Sequence, residues 1–256
     1  MERLTSVKNP TVRALRDLKD RRVRQETGRI LVEGEVMIRE ALGCGLEIHD
    51  LLADARCEDF AREMEAQGAR AFCVPANVLE SVCETRSPQG VCASFSCPEE
   101  LTLEQLPDVI VALDGVQDPG NVGTIWRTAD AAGFQALLLG EGSADPLSPK
   151  VLRAAMGSGF RLPFATVSDL PEALKALSQR GYRVIASDLK GCDFYARPNP
   201  GRKLVLLIGN EARGISDAVR ACADMRVRLP MRGGAESLNA AIAAGIMMYD
   251  IMKEYE

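Results

Sequence analysis

Apolar positions follow two spacings along this chain, and each change of spacing marks an element. Asn9 and Pro10 precede Val12, Leu15 and Leu18, a three-residue spacing that predicts a helix with Asn as its cap and Pro in its first turn. Arg13, Arg16 and Lys19 fall off that stripe. From Gly28 onward short apolar runs alternate with helical ones. Residues 29–32, 48–52, 71–74 and 91–95 read as strands, with helices ending near residue 42, spanning about 58–67, and a short one before residue 91. This predicts a small α/β domain over residues 1–96. The segment CPEELTLEQLP, residues 97–107, is polar, carries two prolines and lacks a strand pattern, so it is expected to be a linker. From Asp108 the alternation restarts with stronger strands at 109–113, 136–139, 164–167, 183–186, 204–208 and 225–229. Unbroken apolar strands separated by helices predict a parallel sheet covered on both faces, and a second α/β domain over residues 108–256.

Composition agrees with two globular domains: 256 residues, 46% hydrophobic and 26% charged. The longest apolar stretch, residues 238–249, is interrupted by Asn239 and stopped by Asp250, short of the roughly 18 residues a membrane span needs. The first thirty residues are charged throughout, with no apolar secretory core, and a cytoplasmic location is expected. The eight cysteines (44, 57, 73, 83, 92, 97, 192 and 222) never form CxxC and read as small core residues in a reducing compartment, with no metal site expected. His49 is the only histidine, which excludes multi-histidine metal centres and most catalytic triads, and its apolar neighbours suggest packing.

Charge is uneven. The net value is −5, yet residues 1–30 carry nine Lys/Arg (Arg3, Lys8, Arg13, Arg16, Lys19, Arg21, Arg22, Arg24, Arg29) against four acids. A basic end on an acidic protein reads equally as a grip on a polyanion or as a solvated helix face. With one Trp, four Tyr and seven Phe, an aromatic base-stacking platform is a poor candidate.

Ligands of open α/β sheets bind beyond the carboxyl ends of the strands, and three polar, Gly-rich loops leave such ends here. They are DGVQDPGNVGTIWRTADAAGF at 114–134, with a helix expected to start near Asn121, GNEARGIS at 209–216, and PMRGGAESLNAAIAAG at 230–245. GNEARGIS has Ile215 where a phosphate loop requires lysine, DPGNVG is not GxGxxG, and GSGF at 157–160 follows a helix rather than a strand. Nucleotide readings of the usual kind therefore lose their support.

The three segments DPGNVGTIWRTADAAGF, LLIGNEARGIS and LPMRGGAESLNAAIAAGI resemble, in order and spacing, the motifs of SpoU/TrmH-type RNA ribose methyltransferases of the SPOUT superfamily. SVKNPTVRALRDL and GRILVEGEVMIREAL resemble that family's ribosomal-protein-like substrate-binding domain. The resemblance implies a carboxyl-terminal domain with a deep trefoil knot, although chains generally avoid threading loops. It implies S-adenosylmethionine held mainly by main-chain groups of Gly209, Leu229 and Leu238, glycine suiting a backbone that must approach a ligand closely. It also implies methyl transfer to a ribose 2′-hydroxyl involving Asn121, Arg127, Glu211, Ser237 and Asn239. Arg127 is expected to clamp the phosphate beside the target ribose and steady the developing alkoxide, since a guanidinium does not give up its proton. An ion pair with Asp130 is the bland alternative. Glu211 would orient loops or shuttle a proton; Asn121 would cap its helix, touch substrate, or both. Ala212 stands where the family often has glycine, and Ala240 and Ala241 where valine and serine are common, so no hydroxyl role is implied just beyond Asn239.

The implied substrate is structured RNA, ribosomal (23S) ahead of transfer RNA, with a non-catalytic RNA-binding module as the reading from another class. Residues 240–252 are apolar on too many sides for a helix with one buried face, and a homodimer through this helix is expected, as the resemblance also implies.

Overall fold

The computed structural model describes residues 1–85 and 87–255, so Glu256, the last residue of the expected second domain, lies outside the described residues. The chain forms two compact units, one of Met1–Pro98 with Asp145–Phe160, the other of Glu99–Ala144 with Arg161–Glu256.

The first unit is built on five strands, β1 (Glu2–Arg3), β2 (Arg29–Glu33), β3 (Ile48–Ala53), β4 (Arg70–Cys73) and β5 (Val91–Ser96), in the order β1-β4-β3-β5-β2. The sheet is mixed: β5 runs antiparallel to β2 and β3, while β4 is parallel to β1 and β3. Asn9 caps helix Pro10–Asp17 through the Thr11 N–H at 2.8 Å, with Pro in the first turn as the sequence predicts. That cap turns Val12 and Leu15 onto one sheet face with Leu31, Leu52 and Leu79. The opposite face packs Ile30, Ile38, Phe60 and Phe95 with Leu152 from helix Pro149–Ala155. The segment after Ala144 thus completes the core of the first unit.

The basic count at the amino end needs one correction. Arg24, in helix Arg21–Thr27, is 3% exposed: it donates to the carbonyls of Leu18 (2.6 Å) and Lys19 (2.8 Å) and is ion-paired with Asp145. Its guanidinium closes a turn inside the unit. Lys19 likewise donates to the carbonyls of Ser81 and Cys83, at 3.3 and 3.0 Å. Arg16 and Arg29 are half-buried, and Arg3, Lys8, Arg13, Arg21 and Arg22 remain as the exposed cations.

The second unit carries six strands, β6 (Val109–Asp114), β7 (Ala136–Gly140), β8 (Phe164–Val167), β9 (Arg183–Asp193), β10 (Leu204–Gly209) and β11 (Met225–Arg228), all parallel, in the order β11-β9-β10-β6-β7-β8. Ile110, Ala112, Leu138, Val205 and Leu207 build one face with Leu174 and Leu177 of helix Leu170–Gln179. Trp126, fully buried, donates its indole N–H to the Leu162 carbonyl at 3.0 Å and meets Phe164 edge-on at 5.2 Å. One register matters for function. Gly209 pairs with Asp114, so β10 and β6 end level and their following loops emerge side by side.

His49 Nε2 lies 3.0 Å from Ser96 Oγ, within the first unit's sheet. Among the described residues no cysteine forms a disulfide and no group of His, Cys, Asp and Glu could hold a metal ion, and burial pushes the Cys57 thiol up to about 11. Among the described residues no helix is long and apolar enough to cross a membrane.

Candidate functional site

The loop after β10 folds back on its own strand. Asn210 and Gly214 exchange backbone hydrogen bonds at 3.0 and 2.9 Å, and the Asn210 side chain accepts from the N–H groups of Ala212 and Arg213, both at 3.0 Å. Its amide also donates to the Gly115 carbonyl at 2.7 Å, tying this loop to the one after β6. Asp114, at the end of β6, accepts from the Ser216 N–H at 2.7 Å. A Cβ on Gly209 would sit 2.4 Å from Gly214 C and 2.5 Å from Ile215 N. Glycine is thus demanded by the loop's own backbone, where the sequence reading gave the reason as room for a ligand.

The neighbouring helix runs Pro119–Ala132 and is capped by Asp118, whose carboxylate accepts from the Asn121 N–H at 2.9 Å. Asn121 is therefore not the cap; it lies in the first turn, and its side chain is free for another task. Its Nδ2 donates to Glu211 Oε1 at 2.8 Å, and its Oδ1 accepts from Asn239 Nδ2 at 2.9 Å. Asn239 caps the last helix, Ala240–Met252, through the N–H groups of Ala241 and Ile242 at 2.9 and 3.2 Å. Each of the three motif loops contributes one residue to this chain of amides and a carboxylate.

Glu211 anchors it. Its oxygens also accept from the backbone N–H groups of Gln117 and Asp118, each at 3.2 Å, at the amino end of helix Pro119–Ala132. Burial pushes the Glu211 carboxyl up, but the hydrogen bonds from Asn121 and from the backbone of Glu211, Gln117 and Asp118 outweigh it and hold the group below its ordinary value. A carboxylate committed to these donors is a fixed acceptor.

Beside this chain a cleft of about 730 Å³ opens, lined by the outer part of β9 and by the loops after β10 and β11. Gly209, Leu229 and Leu238 all line it, as do Glu211, Ser237 and Asn239. Ser237 is exposed and precedes the helix cap by two residues. Asn121 reaches the cleft through Glu211 and Asn239, while Arg127 lies two turns along its helix and does not line the cleft. Arg127 is exposed and its side chain makes no hydrogen bond or ion pair among the described residues; Asp130 pairs with Arg161 at 3.2 Å. Thr124, three residues earlier, is also exposed, whereas Gly123 is buried.

Sequence reasoning missed Asn210, Asp118 and Asp188. Asn210 could have been found as the Asx residue opening a tight turn at a strand end, and Asp118 as an acid placed just before a helix-initiating proline. Asp188 left no signal: it sits within the extended part of β9, its side chain 10% exposed, 3.2 Å from Arg220 Nε, and it lines the cleft.

Comparison with known proteins gives matches along nearly the whole chain. Residues 108–249 match the SpoU rRNA methylase family, and residues 9–93 match an MRM3-like substrate-binding domain. The chain is 33% identical over 251 residues to a 23S rRNA (guanosine(2553)-2′-O)-methyltransferase, RlmP, of Bacillus subtilis, covering 98% of this chain and 99% of that protein. Among solved structures, an AdoMet-bound rRNA methyltransferase from Sinorhizobium meliloti superposes with a TM-score of 0.86 at 34% identity, over 100% of this chain and 98% of that one. The SpoU methyltransferase AviRb from Streptomyces viridochromogenes, in complex with AdoMet, gives a TM-score of 0.87 at 31% identity, over 97% and 98%.

Proposed function

We propose, because this chain belongs to the SpoU rRNA methylase family, that it transfers a methyl group from S-adenosylmethionine to the ribose 2′-hydroxyl of a guanosine in 23S ribosomal RNA. The observation that carries the reading is the hydrogen-bonded chain Glu211–Asn121–Asn239 at the edge of the cleft. The cleft suits the cofactor: its volume, about 730 Å³, falls within the roughly 300–1,000 Å³ usual for small-molecule sites. Leu229, Leu238 and Met247 supply apolar wall, and the turn at Gly209–Gly214 supplies main-chain donors and acceptors.

S-adenosylmethionine supplies an electrophilic methyl group on a sulfonium. The chain must place a 2′-hydroxyl in line with it and ease the loss of the hydroxyl proton. Asn121 and Asn239, with amide orientations fixed by Glu211, hold the geometry of the three loops around the reacting atoms. Glu211 works as a positioning residue, because its oxygens are already engaged by donors. Arg127, exposed and unpaired, clamps the phosphate beside the target ribose and stabilises the developing alkoxide. Ser237, exposed at the cleft, is a further polar contact for substrate or cofactor.

The reading extends to the whole molecule. Residues 1–96 grip RNA through Arg3, Lys8, Arg13, Arg21 and Arg22, residues 97–107 link, and residues 108–256 carry the chemistry in the cytoplasm. The second unit includes a deep trefoil knot, as the resemblance to SpoU/TrmH-type methyltransferases implies. Two chains pair through the last helix, where Ile242, Ile246 and Tyr249 form an apolar stripe 55%, 38% and 53% exposed while Met247, Met248 and Ile251 are buried. Mapping 2′-O-methylation in 23S rRNA from cells with and without the gene tests the reading: one guanosine should lose its methyl group, and an unchanged map overturns it.

A further inference from the structure

Strand β9 does not run straight to its end. Ala186 pairs with Arg226 of β11 and Cys192 with Val227, so residues 187–191 leave the ladder as an excursion before the pairing resumes. Gly191 closes it, because a Cβ there would lie 2.5 Å from Arg226 C and Val227 N. The excursion lines the cleft and carries Leu189 with 63% of its surface exposed, so apolar packing of the tip does not hold it in place. The anchor is Asp188. Its Oδ1 accepts from the Lys190 N–H at 2.9 Å, and its Oδ2 lies 3.2 Å from Arg220 Nε and 3.8 Å from Arg226 Nη1.

Those two arginines belong to the other walls of the cleft. Arg220 ends the short helix Asp217–Arg220 and donates through Nη2 to the Ile215 carbonyl at 2.6 Å, just past the turn that follows Gly209. Arg226 lies on β11, two residues before Arg228 and three before Leu229, both of which line the cleft. One carboxylate therefore ties together the excursion, the loop after β10 and β11. Little of it is open to a ligand: the side chain is 10% exposed, Oδ2 has no accessible surface, and Oδ1 already accepts from the Lys190 N–H. Arg220 Nε faces Oδ2 without the alignment of a hydrogen bond, so the tie is one of charge. Asp217 also pairs with Arg220, but that carboxylate is 97% exposed and screened by water. Removing the Asp188 charge alone would leave two guanidiniums with no anion between them.

We propose that Asp188 is a positioning residue for the cofactor: through Arg220 and Arg226 its charge holds three walls of the cleft in the arrangement that S-adenosylmethionine needs. The inference rests on the cofactor reading given under Proposed function, and on the Asp188 contacts for the residue. The test uses the full chain, titrated with S-adenosylmethionine in a calorimeter well below its melting temperature. Asp188→Asn keeps the shape and the acceptor for the Lys190 N–H and removes only the charge. It should weaken binding about tenfold, the scale of leaving one or two side chains to be ordered on binding. Arg220→Gln should weaken it in the same direction, and it decides the matter if Asp188→Asn does not fold. Combined, the two changes should cost less than the product of the single losses, because they break one tie. In methyl transfer to 23S rRNA from cells lacking the gene, Asp188→Asn should raise the half-saturating cofactor concentration about tenfold and change the single-turnover rate at saturating cofactor less than about twofold. A residue that only held the fold together would lower the melting temperature and leave the affinity of the folded protein unchanged. Unchanged affinity in a folded variant, single losses that multiply in the double variant, or a saturated rate that falls tenfold overturns the assignment. The two readings fail separately. A wild type that binds S-adenosylmethionine but methylates no ribosomal RNA sinks the proposed substrate and leaves the calorimetry to judge Asp188, whereas a wild type that binds no S-adenosylmethionine overturns both.

Discussion

Replacing Glu211 with glutamine tests whether this residue positions or carries a proton. The carboxylate accepts three hydrogen bonds, from Asn121 Nδ2 at 2.8 Å and from the N–H groups of Gln117 and Asp118 at 3.2 Å. Glutamine keeps one acceptor oxygen, so its amide group must point a donor at a donor: at Gln117 in one rotamer, at Asn121 and Asp118 in the other. One bond to a charged group is lost, worth about 1.5–3 kcal/mol when buried and less at this exposed loop, so about 1 kcal/mol is the appropriate scale. The negative charge at the amino end of helix Pro119–Ala132 is lost as well, for roughly 0.3–1 kcal/mol. Together these should lower the melting temperature by about 2–8 °C. Asn121 no longer has a fixed amide orientation, and the single-turnover methylation rate should fall about tenfold, with cofactor affinity changed less than about threefold. The pH dependence separates the two roles. Glu211 is held below its ordinary value, so its contribution to stability is present above the unfolded-state value near ~4.3 and is lost as pH falls through the lower folded-state value. It stays ionised between pH 6 and 9. The variant's rate profile over that range should therefore keep the wild-type shape at a lower height. A limb present in the wild type and absent in Glu211→Gln would make Glu211 a proton carrier and refute the positioning argument.

Arg127→Ala should leave folding and cofactor affinity intact while cutting the single-turnover rate about a hundredfold, with little rescue by lysine; a near-normal rate would strike it from the catalytic residues. Gly209→Ala should cost about 1–3 kcal/mol and weaken S-adenosylmethionine binding in calorimetry, because the new Cβ meets Gly214 C at 2.4 Å; undiminished affinity would mean the loop yields freely. Ile242→Asp should turn a dimer into a monomer in analytical sedimentation, and a wild-type protein already monomeric at micromolar concentration sinks the assembly proposal. RNA affinity should fall steeply with salt, and Arg21→Gln with Arg22→Gln should flatten that dependence; an unchanged slope would remove these arginines from the RNA grip.

Most strands were legible because an unbroken apolar run between polar turns has few other readings, and β6, β7, β8 and β10 fall within a residue of expectation. β1 escaped notice: two exposed residues have no periodicity, and only the edge of β4 makes them a strand. β9 ran on to Asp193 through polar positions because β11 pairs along it past a bulge. The site was legible as residue types at motif spacing, but its wiring was not. That Asp118 rather than Asn121 caps the helix depends on which carboxyl oxygen reaches the Asn121 N–H. That Arg24 is interior depends on carbonyls and an aspartate that a charge count does not see.

The excursion of Asp145–Phe160 sets an order for synthesis. As the nascent chain leaves the ribosome, Met1–Pro98 emerges first but lacks Leu152 and the partner for Arg24. By the time that segment is available, β6 and β7 have already been made. The amino-terminal unit should therefore mature only after the other has begun to form, and a nascent chain stalled near residue 140 should remain protease-sensitive in its first hundred residues. For the same reason, cutting the protein near Pro107 severs more than a tether, since it strands a helix from the core it was built to fill.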